Sequence, residues 1–372
     1  MAEEDLVSVV VPTYNAERTL DATLASVRAQ THRALEIIVA DDGSKDGSPA
    51  IAERHAAEDH RVRLLRKPNG GVADARNHGI RACSGAFIAP IDSDDLWAPT
   101  KIEKQLAALR AADPATTFVY CLSYLIDTED RVIGAVGLDG FAGDAFLRSV
   151  VLNFVGNGSV MLMRRAAIDR IGGFDVSGQA MNAYGSDEMV VQSLLAALGP
   201  IAVVPEWLVG YRRTPGSVST DRARMARAQK WHVDRVTAAF PDLPAFLGAA
   251  ALAGVDARMA VEHARRGAVR AATGCVWAGL SRAPIHAAAV MASYGGRPLR
   301  RALRRLVGAD ARPPVGPRFH EADSTAGAVW SGPTPFPGRL RRLAGMEQAF
   351  ARRIRAQGPV GLNPLGLSPA QR

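Results

Sequence analysis

Cysteine is scarce in this 372-residue chain: Cys83, Cys121 and Cys275 are all there is. Three well-separated thiols exclude a disulfide scaffold or a cysteine-built zinc site, and fit reduced core residues of a cytoplasmic protein. Long apolar runs are missing too, and none approaches the roughly 18 residues of a membrane span. The chain opens on acids, Glu3, Glu4 and Asp5, whereas a secretory signal opens on basic residues and runs into an apolar stretch. Several catalytic templates are also absent. There is no G-x-x-x-x-G-K-[ST] phosphate loop, no G-x-G-x-x-G after the first apolar run and no G-x-S-x-G elbow, and the eight histidines never adopt H-E-x-x-H spacing. Aromatics make up 6% of the chain and no nucleic-acid recognition motif occurs, so nucleic acid is not an expected partner.

What is present is divided unevenly. Apolar residues are 48% of the chain, enough to bury a sizeable core. The net charge of +8 hides two opposite halves. From residue 220 onward there are 24 Lys/Arg against 9 Asp/Glu, and before it 21 against 28. An acidic front suits a metal-using site and a basic back suits a surface that meets anionic partners.

Short apolar runs alternate with helical periodicity through the front half. Strands are expected at 7–11, 35–40, 62–65, 86–91, 117–126 and 201–211, and helices at 16–30, 47–59, 71–82, 100–112, 164–171 and 186–198. That alternation predicts an α/β fold with a mostly parallel sheet flanked by helices, in which ligands sit beyond the carboxyl ends of the strands. Residues 130–160 are Gly-rich and give no clear pattern. The chain is expected to divide into an α/β domain at 1–220, a helical basic region at 221–307 and a Pro/Gly-rich tail at 308–372. The tail is expected to be partly disordered, with one helix near 338–356.

Three acidic features stand out. Asp92-Ser93-Asp94-Asp95 sets three carboxylates at a strand end, where they repel one another unless a cation binds. Mg²⁺ or Mn²⁺ takes carboxylate ligands and shares phosphate oxygens; a solvated turn or helix cap is the plainer alternative. Asp42, in Asp41-Asp42-Gly43-Ser44, follows a strand and could bond a nucleoside N–H or hydroxyl, or simply form an Asx-turn. Asp187, in Gly185-Ser186-Asp187-Glu188, opens an apolar helix as either an N-cap or a general base.

Together these segments resemble the family 2 glycosyltransferases, inverting enzymes with the GT-A fold. The likeness runs over about residues 6–220. It begins at Val7-Ser8-Val9-Val10-Val11-Pro12-Thr13-Tyr14-Asn15 and passes through the helix around Leu24–Thr31. It continues with Glu36–Gly47, the Asn69–Ile80 segment containing Ala75-Arg76-Asn77, and Asp92-Ser93-Asp94-Asp95. It ends with Ile171-Gly172-Gly173-Phe174-Asp175 and Tyr211–Ser219. The resemblance implies transfer of a sugar from a nucleotide-diphosphate sugar to a hydroxyl of a glycan or polyprenyl-linked acceptor, in cell-envelope or extracellular polysaccharide synthesis. Pro12, Tyr14, Asp42, Arg76, Asp92 and Ser93 would bind the nucleotide sugar, and Asp94 and Asp95 would hold a divalent metal, Mn²⁺ or Mg²⁺. Asp187 would be the base, and Arg212 and Arg213 would meet the diphosphate. Two positions depart from the family: Ser186 stands where an acid usually precedes the base, and Thr214 where a histidine is usual.

The stretch 297–306 carries Leu299, Leu303 and Leu306 on one helical stripe beside Arg300, Arg301, Arg304 and Arg305. This is the pattern of a helix packed on the catalytic domain, or of peripheral contact with the inner face of a membrane. A nucleotidyltransferase that makes nucleotide sugars is a competing class, but it calls for a Gly-rich basic loop where this chain has Pro12-Thr13-Tyr14-Asn15. A non-catalytic sugar-nucleotide-binding protein is the other alternative.

Overall fold

A computed structural model describes residues 5–136, 140–181, 183, 185–214, 221–288, 290–291, 317–322 and 346–353. Nine strands among these form one sheet: β1 (Val7–Thr13), β2 (Leu35–Asp41), β3 (Val62–Arg66), β4 (Phe87–Pro90), β5 (Leu96–Trp97), β6 (Phe118–Ile126), β7 (Val132–Val136), β8 (Met161–Arg164) and β9 (Ile201–Arg212). Their order is β3-β2-β1-β4-β8-β6-β9-β5, with β7 on the side of β6. The first four strands are parallel, as is the β6–β9 pair, and β8 runs antiparallel to both β4 and β6. Every residue of β1 is buried, as expected for a β-branched run with helices on both faces.

Register decides where the functional loops emerge. Thr13 pairs with Asp41 and Val10 with Pro90, so the segments after β1, β2 and β4 leave the sheet along one edge. The helices α1 (Leu20–Arg28), α2 (Ser48–Glu58) and α3 (Val72–Arg81) are the crossovers. On α3, Gly79 lets the helix press against β1, since a methyl group there would lie 2.6 Å from Val10 Cγ1.

The 130–160 stretch holds β7 and the six-residue α5 (Phe146–Val151). Both are too short for a periodicity to show. Next come α4 (Lys101–Ala111), α6 (Arg165–Ile171), α7 (Ser177–Ala180) and α8 (Asp187–Leu198), then α9 (Arg222–Ala239), α10 (Ala245–Arg265) and α11 (Val269–Arg282). Trp231, Val236, Phe240, Leu243 and Leu247 belong to the same core as the sheet. The helical region therefore continues the core of the sheet domain at its start, while α11 packs on α10.

Two pieces of the tail dock on the front of the molecule. Phe319 is buried with Leu96 and Ile126, and in the helical residues 346–353 Phe350 stacks on Phe146 at 5.5 Å. The latter piece falls within the helix expected at 338–356. The basic stretch 297–306 and residues 215–219 of the closing loop lie outside the described residues.

Candidate active site

The strand-end loops enclose a cavity of about 440 Å³. Pro12, Tyr14 and Asp42 line one end with Gly71 and, against Gly71, Gln179; Asp92, Ser93 and Asp187 line the rest with Asp175 and Trp231.

At the first end, Tyr14 is half exposed. The loop behind it is tied to the loop after β2: Asn15 N–H donates to Ser44 Oγ at 3.0 Å, and Asn15 Oδ1 accepts from Lys45 N–H at 2.8 Å. Asp42 is buried and well supplied with donors. Its Oδ1 accepts from Lys67 Nζ at 2.6 Å and Gly70 N–H at 2.8 Å, and its Oδ2 from Gly71 N–H at 2.7 Å. Gly71 has φ +87°, which a side-chain-bearing residue rarely adopts. Lys67 also pairs with Asp74 at 2.6 Å. Burial works against the charge of Lys67, but Asp42 and Asp74 hold its pKa above the usual lysine value. Lys67 carries no family motif, so sequence reasoning passed it over.

At the other end the centre is Arg76 on α3, only 2% exposed. Its Nη1 donates to Asp187 Oδ2 at 2.5 Å and its Nη2 to Asp92 Oδ1 at 2.6 Å, with Glu188 Oε1 3.8 Å away. Burial alone would lower the arginine's pKa, but the surrounding carboxylates raise it well beyond the ordinary value. Arg76 thus bridges the acid after β4 and the acid that opens α8. One oxygen of Asp187 is anchored, while the other, Oδ1, is buried without a partner among the described residues.

Glu188 was named in its acidic segment but given no role, because the missing acid was sought at position 186. It is partly buried beside Asp187, and burial followed by that neighbour's charge pushes its pKa up to about 8. The first turn of α8 therefore carries two acids, one position later than the family pattern. Ser186, at the N-cap, makes no capping bond with its side chain.

The acidic turn separates into an outward and an inward part. Asp92 N–H donates to Ser159 Oγ at 3.0 Å, and Ser93 C=O accepts from Thr19 and Thr23 hydroxyls at 2.9 and 3.0 Å. Asp94 is half-buried; its pKa is pushed up to about 6 by burial and by Asp92, against the pull of Arg212. No side chain among the described residues hydrogen-bonds its carboxylate.

Asp95 is different. It is completely buried, with Oδ1 accepting from Arg212 N–H at 3.0 Å and Oδ2 from Ser159 Oγ at 2.6 Å and Asn157 Nδ2 at 3.2 Å. Both oxygens are taken by protein donors, so Asp95 anchors the turn where a metal ligand was expected. Arg212 is likewise engaged: its Nε donates to Asp94 C=O at 2.7 Å and its Nη1 to Asp127 C=O at 2.8 Å, and its Nη2 pairs with Asp130 at 2.5 Å. It holds the turn rather than facing a ligand. Arg213 is half-buried, with an Nε that has no partner among the described residues.

These residues fit a divalent cation that is shared with a ligand, not one held in a protein cage. Among the described residues no three His, Cys, Asp or Glu groups form a cage. Mg²⁺ and Mn²⁺ sites completed by substrate phosphates need only one or two carboxylates, and Asp94, crowded by Asp92 and otherwise unpaired, supplies that.

Residues 8–172 match the profile of Glycosyl transferase family 2. This segment is a family 2 glycosyltransferase domain. The E. coli protein WfgD, named as a UDP-Glc:α-D-GlcNAc-diphosphoundecaprenol β-1,3-glucosyltransferase, is 39% identical over 133 residues, 36% of this chain and 51% of WfgD. The uncharacterized glycosyltransferase RT0329 of Rickettsia typhi is 33% identical over 182 residues, 48% of this chain and 56% of that protein. The chain therefore spans about half the length of these curated relatives.

Among solved structures, S. aureus TarS 1–349 in complex with UDP-GlcNAc superposes with a TM-score of 0.54 at 17% identity, covering 81% of this chain and 87% of that one. The mannosyltransferase PcManGT of Pyrobaculum calidifontis, in complex with GDP-Man and Mn²⁺, gives 0.53 at 20% identity, covering 83% and 84%. The fold of the family 2 domain is GT-A, with a helical C-terminal part.

Proposed function

We propose that this protein transfers a sugar from a nucleotide-diphosphate sugar to a hydroxyl of a glycan or polyprenyl-linked acceptor, with inversion, in polysaccharide synthesis. The observation that carries this reading is one continuous cavity. Its lining joins Tyr14 and Asp42, Asp92 and Ser93, and a carboxylate, Asp187, with one oxygen anchored and one left over. WfgD, by its name, acts on a lipid-linked saccharide, which supports the acceptor class.

In this mechanism Tyr14 and Asp42 receive the nucleoside. Asp92 and Ser93 face the sugar and ribose. Arg76 holds Asp187 still while Oδ1 takes the proton of the acceptor hydroxyl, whose oxygen attacks the anomeric carbon from the side opposite the nucleotide. Arg213 meets the diphosphate. A Mn²⁺ or Mg²⁺ ion at Asp94 would supply charge neutralisation for the departing diphosphate.

The test is a donor panel. UDP-, GDP- and dTDP-sugars are added with Mn²⁺ to wild type and to Asp187→Asn, reading thermal shift and sugar transfer to GlcNAc-diphospho-undecaprenol. Both proteins should be stabilised by the same nucleotide, and the variant should lose transfer by about 100-fold or more. A normal transfer rate in Asp187→Asn would remove Asp187 as the base. The absence of any shift would point to a protein that does not use nucleotide sugars.

A second reading concerns location, and a specific surface favours it. Between Glu262 and Asp310 there is no acidic residue, while nine arginines occur. Within that stretch α11 presents Val269 and Trp277 at 68% and 76% exposure. Tryptophan beside arginine on a helix face suits the headgroup layer of an anionic membrane. Vesicles containing phosphatidylglycerol should float the full chain and pure phosphatidylcholine vesicles should not, with Trp277→Ser weakening flotation. Equal recovery from both would rule this out.

A further inference from the structure

The backbone of the acidic turn is held by Arg212, and Arg212 is held by the turn at 127–130 after β6. Asp127 closes that turn, its Oδ1 accepting from Glu129 and Arg131 N–H at 3.0 and 2.9 Å. Asp130 sits at φ 65°, in the left-handed region. That conformation costs a non-glycine residue about 1 kcal/mol or more, so it persists only where neighbours enforce it.

The neighbours come from the tail. Val132 N–H donates to Pro317 C=O at 3.0 Å, Phe319 N–H donates to Asp130 C=O at 2.8 Å, and Arg131 and Arg318 form an antiparallel bridge. The Phe319 ring is 6% exposed and packs with Leu96 and Ile126. It lies so close to β9 that a methyl group on Gly210 would sit 3.1 Å from a ring carbon. Leu96 directly follows Asp95 and pairs with Gly210, two residues before Arg212. A six-residue piece of tail therefore touches both strands that carry the acidic turn and its arginine, together with the turn behind them.

We propose that Phe319 is a positioning residue for the site, with residues 317–322 acting as a clip that sets Asp94 where a divalent cation and a nucleoside diphosphate meet. The clip acts through Leu96 and Gly210 on one side and through Asp130 and Arg212 on the other. The inference rests on the glycosyltransferase reading for its ligand and on the contacts themselves for its mechanics. It gives the tail a task that its composition does not suggest.

The test uses the full chain as wild type, Phe319→Ala and Phe319→Leu, with two readouts. Backbone hydrogen exchange should rise in Phe319→Ala across 92–97 and 126–131 and stay unchanged in β1 and β2. The Mn²⁺ concentration that half-saturates UDP or GDP binding should rise about ten-fold, with nucleotide affinity in the absence of metal unaltered, as for other residues that orient a metal ligand from behind. Phe319→Leu, which keeps an apolar side chain but loses the ring against Gly210, should show both changes at smaller size, and it carries the test if Phe319→Ala does not fold. Wild-type exchange at 92–97 in the variants overturns the clip, as does an equal loss of metal-free affinity. If wild type binds neither UDP nor GDP, the functional reading falls, and the exchange result still decides the clip.

Discussion

The two ends of the cavity reach comparable order by different routes. Asp42 is fixed by Lys67, Gly70 and Gly71, all within 29 residues along the chain. Asp187 is fixed by Arg76, 111 residues away. The first end is built inside consecutive strand–helix–strand units, so its parts appear as a motif in order. The second exists only once the start of α8 has met Arg76 of α3 and the loop after β4. A substitution at the first end should act mainly on binding, with a smaller cost in stability. At the second it should act on stability and chemistry together.

The sharpest way to break this contrast is Arg76→Ala. It strands Asp92, Asp187 and Glu188 around a buried vacancy, and removing one partner from a buried ion cluster costs about 3–5 kcal/mol. Urea unfolding should show a loss of that order, together with loss of transfer. A variant as stable as wild type would mean that the cluster is not the keystone of this end.

A smaller effect is expected from Asp42→Ala, which leaves the Gly70 and Gly71 N–H groups without an acceptor. Stability should fall by about 1–3 kcal/mol and nucleotide affinity should weaken, whereas the metal dependence of binding should be kept. Calorimetric titration with the preferred nucleotide measures this. If metal dependence vanished instead, the two ends would not be separable.

The smallest effect concerns the support behind α8. His232 of α9 shares a hydrogen bond with Ser193 of α8 at 2.9 Å, and burial holds the histidine pKa down to about 4. The unfolded chain takes up this proton below about pH 6.5 and the native state does not, so stability falls as pH drops. Between pH 7.5 and 6 the expected loss is about 1 kcal/mol. Thermal melts across that range, with His232→Gln as the reference, should show a flatter profile in the variant. An identical slope would assign the pH effect elsewhere.

Much of the front half was legible in the sequence because its patterns are local. Val7–Thr13 and Leu35–Asp41 are β-branched runs ended by loop residues, and they form the central strands expected of them. The stretch from 130 to 160 was not legible. An alternating strand of five residues and a helix of six leave too few periods to detect. Three adjacent aspartates looked alike in the sequence, yet the fold gives them different neighbours: Arg76 for Asp92, a crowded and unpaired setting for Asp94, and three donors for Asp95. Glu188 was given no role because a motif fixes spacing along the chain, whereas an α-helical turn can bring a neighbouring position into the same site.

By itself, the sequence determined the family resemblance, the alternation of strands and helices from β1 to β4, and the placement of Asp42 and Asp92 at strand ends, since each depends on periodicity and on residues close together in the chain. Only the tertiary structure decided which acids stay available and which are tied down. It also decided that Arg76 joins Asp92 to Asp187, and that Phe319 and Trp231, from the basic C-terminal half, come to lie against the acidic turn and the cavity. The physical reason is the same in each case. The state of a buried charge is set by the donors packed around it, and here those donors come from segments far apart along the chain.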